Sequence, residues 1–362
     1  MALGVGAQIA CLAPVWDGIA GRSPFYSRIP AAPLQANAKS RHHIRKQKRR
    51  LSNWPAYAAS LRQRGSLTVW FTDEAITAWR AAPRTSRGGQ PWYSPRAILT
   101  ALTLRTVFRL ALRQTEGVIG SVIRLLGLDL PVPDHSTLSR RAATLDMPRS
   151  QSAIGAEPVH LLVDSSALKL CGVGEWLVEH GTKTRRSWRT LQIGMDANTG
   201  EIVAAALTPN DVDDTSQTGS LLDQIDGSVA SFTGGGAYDR DDVYRAVIAR
   251  NPGAAVVVPP RCTAVPSETA ATDPTQRDRH LRCIAETGRI GWQQKSGYNQ
   301  RSRVETAIGR YKQVIGDALR VRTDERRRIE VAVAVRVLNR MLALGRPLSL
   351  HIAETRSGLR VM

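Results

Sequence analysis

The chain has 362 residues, with 50 Lys and Arg against 31 Asp and Glu, and a net charge of +19. That length suits two or three domains, and 42% apolar with 22% charged side chains excludes wholesale disorder. No apolar run of ~18 residues free of charge reads as a membrane span, and the four cysteines, none in a CxxC pair, exclude a disulfide framework and speak against a structural zinc site.

The charge is unevenly placed. Residues 1–150 carry 22 Lys and Arg against seven acids, which is +15 of the +19. A basic surface kept for solubility gives no reason for that asymmetry, whereas a nucleic-acid grip joined to a second body does. The expectation is a cytosolic protein with a polyanionic partner. Residues 1–38 show no periodicity, and the stretch Ile9–Val15 is broken by proline with no basic segment before it, so a signal peptide is a poor reading. This segment reads as a disordered tail or an over-extended start of the reading frame. Lys39–Arg50 then holds seven Lys and Arg and no acid, a run that repels itself unless ordered against phosphates. Residues 1–50 are therefore expected to be a disordered basic tail.

Residues 51–150 look helical. Ser94-Pro95 starts a helix carrying Ile98, Leu102, Val107 and Leu110. A second covers Thr115–Leu126 and stops at Gly127. After the Pro131-Val-Pro133 break, a third is capped by Asp134 or Ser136 and runs to Arg141. The order suits a helix-turn-helix DNA reader, and a plain helical bundle remains open. From about residue 155 strands appear: Val159–Val163 ending in Asp164, Thr190–Met195, and Ile202–Leu207, the last two joined by the hairpin turn Asp196–Gly200. Helical pattern returns at Thr218–Ile225 and 241–250, a strand at Ala254–Val258, and helices at 302–316 and 327–345. The expected class is α/β with a mixed sheet over 151–345, followed by a tail at 346–362.

Three carboxylates carry the chemical argument. Asp164 ends an apolar strand, and Asp239 follows the glycine run Gly234–Gly236 that ends another. Ligands of α/β sheets gather outside the carboxyl ends of strands, where two aspartates can share divalent metal. Arg301, Glu305 and Lys312 lie four and seven residues apart, on one helical face. Such a face suits a Glu on a metal with cations on phosphates; an exposed salt-bridged helix has the same spacing. Asp211, Asp213 and Asp214 read as a capped loop, and Asp241 and Asp242 as the first turn of a helix. Gly234–Gly236 lacks the Lys-Ser/Thr of a P-loop.

The segment Tyr298-x2-Arg301-x3-Glu305-x6-Lys312 resembles the signature of DDE transposases of bacterial insertion sequences. Asp164–Lys169, Gly174–Trp176 and His180–Arg189 resemble the first-Asp region of insertion-sequence family five. Gly236–Asp239 resembles its second-Asp region, and Leu51–Trp54, Tyr57 and Arg64–Trp70 its N-terminal portion. The resemblance spans roughly residues 45–345. It implies a ribonuclease-H-like core, with Asp164, Asp239 and Glu305 as a catalytic triad holding Mg²⁺, for which Mn²⁺ can substitute. It places Tyr298, Arg301 and Lys312 near the strand being cut. One departure is Gly235, where members of the family often carry an Asp outside that triad, which bears on local geometry.

The expected activity is cleavage at the ends of the protein's own DNA element and joining of the freed 3′ hydroxyl to target DNA. Two in-line displacements do this without a covalent protein–DNA intermediate. Lys183, Arg185, Arg186 and Arg189, with Trp188 among them, suggest the DNA path, so affinity should fall steeply with salt. Pairing two element ends implies a homo-oligomer on duplex DNA, in the bacterial cytoplasm at the nucleoid. The alternatives are a metal-dependent nuclease on the same fold and a DNA-binding regulator or inactive remnant.

Overall fold

The computed structural model describes residues 49–85, 87–147, 157–170 and 188–351. Residues 51–349 form one compact unit; residues 1–50 with 350–362 form a second, of which little is described. Two short strands, β1 (Arg49–Leu51) and β8 (Ser349–His351), pair with each other. The expected tails at 1–50 and 346–362 thus fall largely outside the described residues.

The larger unit is built on a mixed sheet. Its strands are β2 (Val159–Leu170), β3 (Trp188–Asp196), β4 (Ile202–Pro209), β5 (Val229–Thr233), β6 (Ala255–Val257) and β7 (Ala318–Leu319). The order is β4-β3-β2-β5-β6, with β7 on the far end of β2. The β2–β3 and β3–β4 pairs are antiparallel; β2–β5 and β5–β6 are parallel. Three antiparallel strands followed by parallel additions is the ribonuclease-H-like arrangement. The Asp196–Gly200 turn forms as the sequence indicates: the Asp196 carboxylate accepts the Thr199 N–H at 2.9 Å and its hydroxyl at 2.8 Å. Gly200, at φ 76°, supplies the left-handed corner.

Both faces of β2 are covered, which explains its continuous apolar run. Leu161 and Val163 pack with Val243, Tyr244 and Val247 of α8 (Asp241–Arg250) and with Leu221 and Leu222 of α7 (Thr218–Leu222). Leu162 and Leu168 face Val304, Ile308 and Tyr311 of α10 (Ser302–Val314) and Val331, Val335 and Leu338 of α11 (Asp324–Leu344). The sequence places the end of this strand at Asp164, but it runs six residues further, to Leu170. The extension exists because β3 pairs along it as far as Lys169↔Trp188. On the other side the parallel partner stops, with Leu162 opposite Thr233, the last residue of β5. Asp164 is therefore mid-strand toward β3 and beyond the strand end toward β5. The crevice that opens there is where an open α/β sheet receives ligands.

The N-terminal helices are α1 (Trp54–Arg64), α2 (Leu67–Trp70), α3 (Asp73–Thr77), α4 (Pro95–Val107), α5 (Leu112–Leu125) and α6 (His135–Arg141). Ser94 caps α4 through the Ala97 N–H at 3.1 Å, and Asp134 caps α6 through the N–H groups of Ser136 and Thr137 at 2.9 and 3.0 Å. Between α5 and α6 lie residues 126–134, a longer connection than the 3–4-residue turn of a helix-turn-helix. Trp79, Ile98, Leu104, Ile119 and Leu138 form a core that also takes in Val333, Val337 and Met341 of α11. Helix α11 thus has one face on the sheet and one on the helical cluster, joining the two. The helix α9 (Gln276–Ser296), not delimited by sequence pattern, is broken at Gly288 by φ 71° and ψ 170°. Among the described residues no helix is long and apolar enough to cross a membrane.

Candidate active site

Asp164 stands on the β2 face that α10 covers. A 3-10 turn, Tyr298–Arg301, leads into α10 and brings Arg301 over the strand. The Arg301 guanidinium donates from Nη2 to Asp164 Oδ1 at 2.8 Å and from Nη1 to Glu305 Oε1 at 2.5 Å. One arginine thus holds two carboxylates 141 residues apart in sequence. The Asp164 and Arg301 side chains are 20% and 22% exposed, and Glu305 is 54% exposed at the rim. Burial works against the Arg301 charge, but Asp164, Tyr298 and Glu305 outweigh it and raise its pKa. Tyr298 packs on Trp292, with ring centroids 5.3 Å apart. Burial raises the Tyr298 phenol above its usual range, opposed by Arg301 and reinforced by Glu305 and Asp164.

Asp239 is in a different environment. Beyond β5 the chain passes Gly234 and Gly235 into a 3-10 turn, Gly236–Tyr238, and then reaches Asp239. Its side chain is fully buried. Arg277 of α9 grips it at two points, Nε to Oδ1 at 2.8 Å and Nη2 to Oδ2 at 3.3 Å. The Arg261 backbone N–H donates to Oδ2 at 2.9 Å. The hydrogen bond to Asp239 is the leading cause of a raised Arg277 pKa. Tyr238 packs on Phe232 at a centroid distance of 5.7 Å, and burial, followed by Asp214 and Asp164, raises its phenol pKa; burial, followed by Asp239, raises that of Tyr244. The structure brings together Asp164, Glu305, Arg301 and Tyr298, and sets Asp239 among Arg277, Arg261 and Tyr244.

The remaining expected residues are dispersed. Lys312 is seven residues beyond Glu305, two turns and about 10.5 Å along the helix. Its charge acts on Asp317, which pairs with Lys169 at 2.8 Å. Arg189 is engaged by Asp324 at the start of α11, at 3.1 Å. Lys183, Arg185 and Arg186 lie outside the described residues. Asp213 caps the 3-10 turn 214–217 and pairs with Arg240 at 2.7 Å, and Asp241 and Asp242 open α8, as the sequence suggests. Two participants have no local signal. Arg277 is one arginine among many, and Asp214 reaches Ser165 at 2.5 Å and Gln192 at 3.2 Å only through the packing of its loop on β2 and β3.

Residues 155–340, just over half of the chain, match the family described as Transposase DDE domain. The chain is a DDE transposase. A second family with the same description matches residues 62–173 and carries the likeness into the N-terminal helices. DDE transposases generally use a divalent metal ion at their carboxylates. The residues of this transposase do not fit such an ion as they are arranged. Arg301 engages one oxygen of Asp164 and one of Glu305, and Arg277 closes off the third expected acid. Among the described residues no three His, Cys, Asp or Glu side chains are grouped to hold a metal.

Proposed function

We propose that this transposase, of the insertion-sequence family five type, binds the terminal repeats of its own element as a homo-oligomer and directs strand cleavage and strand transfer. The reaction centre is the Asp164–Glu305 pair. The observation that carries this reading is the convergence of these two acids on Arg301, with Tyr298 alongside, in the crevice where β2 and β5 part. A scissile phosphate entering the crevice meets a guanidinium able to grip it through two parallel hydrogen bonds. Taking that grip frees the carboxylates, one of which can then accept the proton of the attacking water and pass it to the leaving oxygen, which departs as the 3′ hydroxyl. Affinity comes from elsewhere, from the basic residues of 1–150 and from Lys183, Arg185, Arg186 and Arg189. Residues 51–150 supply the DNA-binding helices and 151–345 the catalytic region.

A second reading, a DNA-binding regulator or remnant that does not cut, is favoured by the engagement of Asp239 with Arg277. The two are separated on a labelled duplex carrying the element end. Wild type is expected to bind it, with affinity falling steeply between low and moderate salt. Glu305→Gln is expected to bind equally well and to lose any nicking or joining that Mg²⁺ or Mn²⁺ supports in wild type. Nicking undiminished in Glu305→Gln removes the assignment, and a flat salt response removes the phosphate-dominated grip.

A further inference from the structure

We propose that the place of the third acid beside Asp164 and Glu305 is position 235, and that the glycine there leaves an arginine-neutralised centre with little affinity for divalent cations. Asp239 is a structural anchor. The inference rests on reading Asp164 and Glu305 as the reaction centre.

Position 235 faces that centre directly. A Cβ built on Gly235 would lie 3.4 Å from Arg301 Nη2, 3.5 Å from Nε and 3.6 Å from Cζ, the guanidinium that holds both acids. These are ordinary van der Waals contacts, so the space accepts a Cβ. The backbone does not demand glycine either, since Gly235 is extended at φ −71° and ψ 171°. Gly234 differs, because a Cβ there would meet the Tyr238 ring at 2.9 Å. Neither space nor backbone strain accounts for glycine at 235.

Arg301 shows the vacancy from the other side. Its Nε is buried without a hydrogen-bond partner among the described residues, while both terminal nitrogens are used. A buried donor left unmatched is costly. A Cβ at 235 would lie 3.5 Å from this Nε, so an aspartate there would bring a carboxylate acceptor to the guanidinium. Charge gives the same answer. Asp164, Glu305 and Arg301 sum formally to one negative charge, too little to hold a dication tightly. A third carboxylate would make it two. Asp239 cannot serve in this arrangement, since both of its oxygens are engaged and its withdrawal would strand the Arg277 charge.

The test is titration of Mn²⁺ alone into the full chain, followed by calorimetry and by the paramagnetic signal of free Mn²⁺. Gly235→Asp is expected to gain one saturable site, bound at least about tenfold tighter than anything in wild type. The gain is expected to vanish in Gly235→Asp combined with Glu305→Gln. Asp239→Asn is expected to melt at lower temperature; where it folds, its Mn²⁺ titration is expected to match wild type. A tight stoichiometric Mn²⁺ site in wild type that Asp239→Asn abolishes would overturn the proposal, as would a Gly235→Asp chain that gains no site. Element-end binding, measured in parallel by gel shift, tests the transposition reading separately. A gained Mn²⁺ site without end binding defeats that reading and leaves the site assignment standing, whereas end binding without a gained site does the reverse.

Discussion

Arg301 holds Asp164 from a turn, whereas Arg277 holds Asp239 from a long helix, and the difference governs how each acid can act. The first pair lies at a crevice with a fifth of each side chain open to solvent; the second acid is sealed. A second buried group on α9 sets a pH limit. The His280 ring accepts the Trp292 indole N–H at Nδ1, 2.9 Å away, and donates from Nε2 to the Val256 carbonyl at 2.8 Å. That pattern requires the neutral ring, and burial holds its pKa below the ordinary 6.5. With a depressed folded pKa, the unfolded chain takes up the proton first as pH falls. The contribution of His280 is complete above about pH 6.5 and is lost as pH drops toward the folded pKa. Melting temperature is expected to decline below that point, less steeply in His280→Phe, which cannot protonate. Equal slopes in thermal melts across that range would refute the assignment.

Among the elements, α9 best shows how a local break serves a distant site. Thr275 and Asp278 form a capping box at its start, and Asp278 also accepts the Ser267 N–H and hydroxyl at 2.8 and 2.7 Å, tying the preceding loop to the helix. Gly288 then turns the helix at a positive φ, after which Trp292 meets His280 edge-on and packs tilted against Tyr298. Gly288→Ala is expected to cost about 1 kcal/mol or more, because alanine resists that backbone region. Chemical denaturation measures this, and an unchanged midpoint would show that the kink tolerates a Cβ. Strand β2 shows where pattern reading stops short. The apolar run ends at Val163, but Ser165, Ser166 and Ala167 stay in the strand because Gln192, Leu191 and Thr190 pair with them. Strand length here is a property of the partner.

Across the whole molecule, α11 is the joint. Its apolar residues occupy two faces, one against the sheet and one against the N-terminal helices, while Arg328, Arg336 and Arg340 stay at the solvent-exposed side. Asn339 lies among them and pairs its amide with the N–H and carbonyl of Ile202, each at 2.9 Å, fixing α11 on β4. A fragment of residues 51–150 lacks Val333, Val337 and Met341 and so loses part of its core. It is expected to show a broad, non-cooperative melt by circular dichroism. A sharp transition would establish that the helical region folds alone and that the boundary near 150 is a true domain boundary.

Much of the site was legible because it is local. Helical periodicity alone puts Arg301, Glu305 and Lys312 on one face, the Asn-Thr-Gly turn dictates the β3–β4 hairpin, and Ser94 and Asp134 announce their helices. These follow from interactions within a few residues, which a sequence states directly. Which position lies beside Arg301 is of another kind. Residues 235 and 239 are separated by a single 3-10 turn, and nothing within that turn says which of them points into the crevice. The choice is made by Arg277 on α9 and by the packing of Tyr238 on Phe232. Burial of a charged side chain requires a partner, and here the partner comes from 38 residues away in the chain. The sequence determined the helix face, the hairpin and the family; the tertiary structure decided that Asp239 is buried against Arg277 and that Gly235 lies against the Arg301 guanidinium.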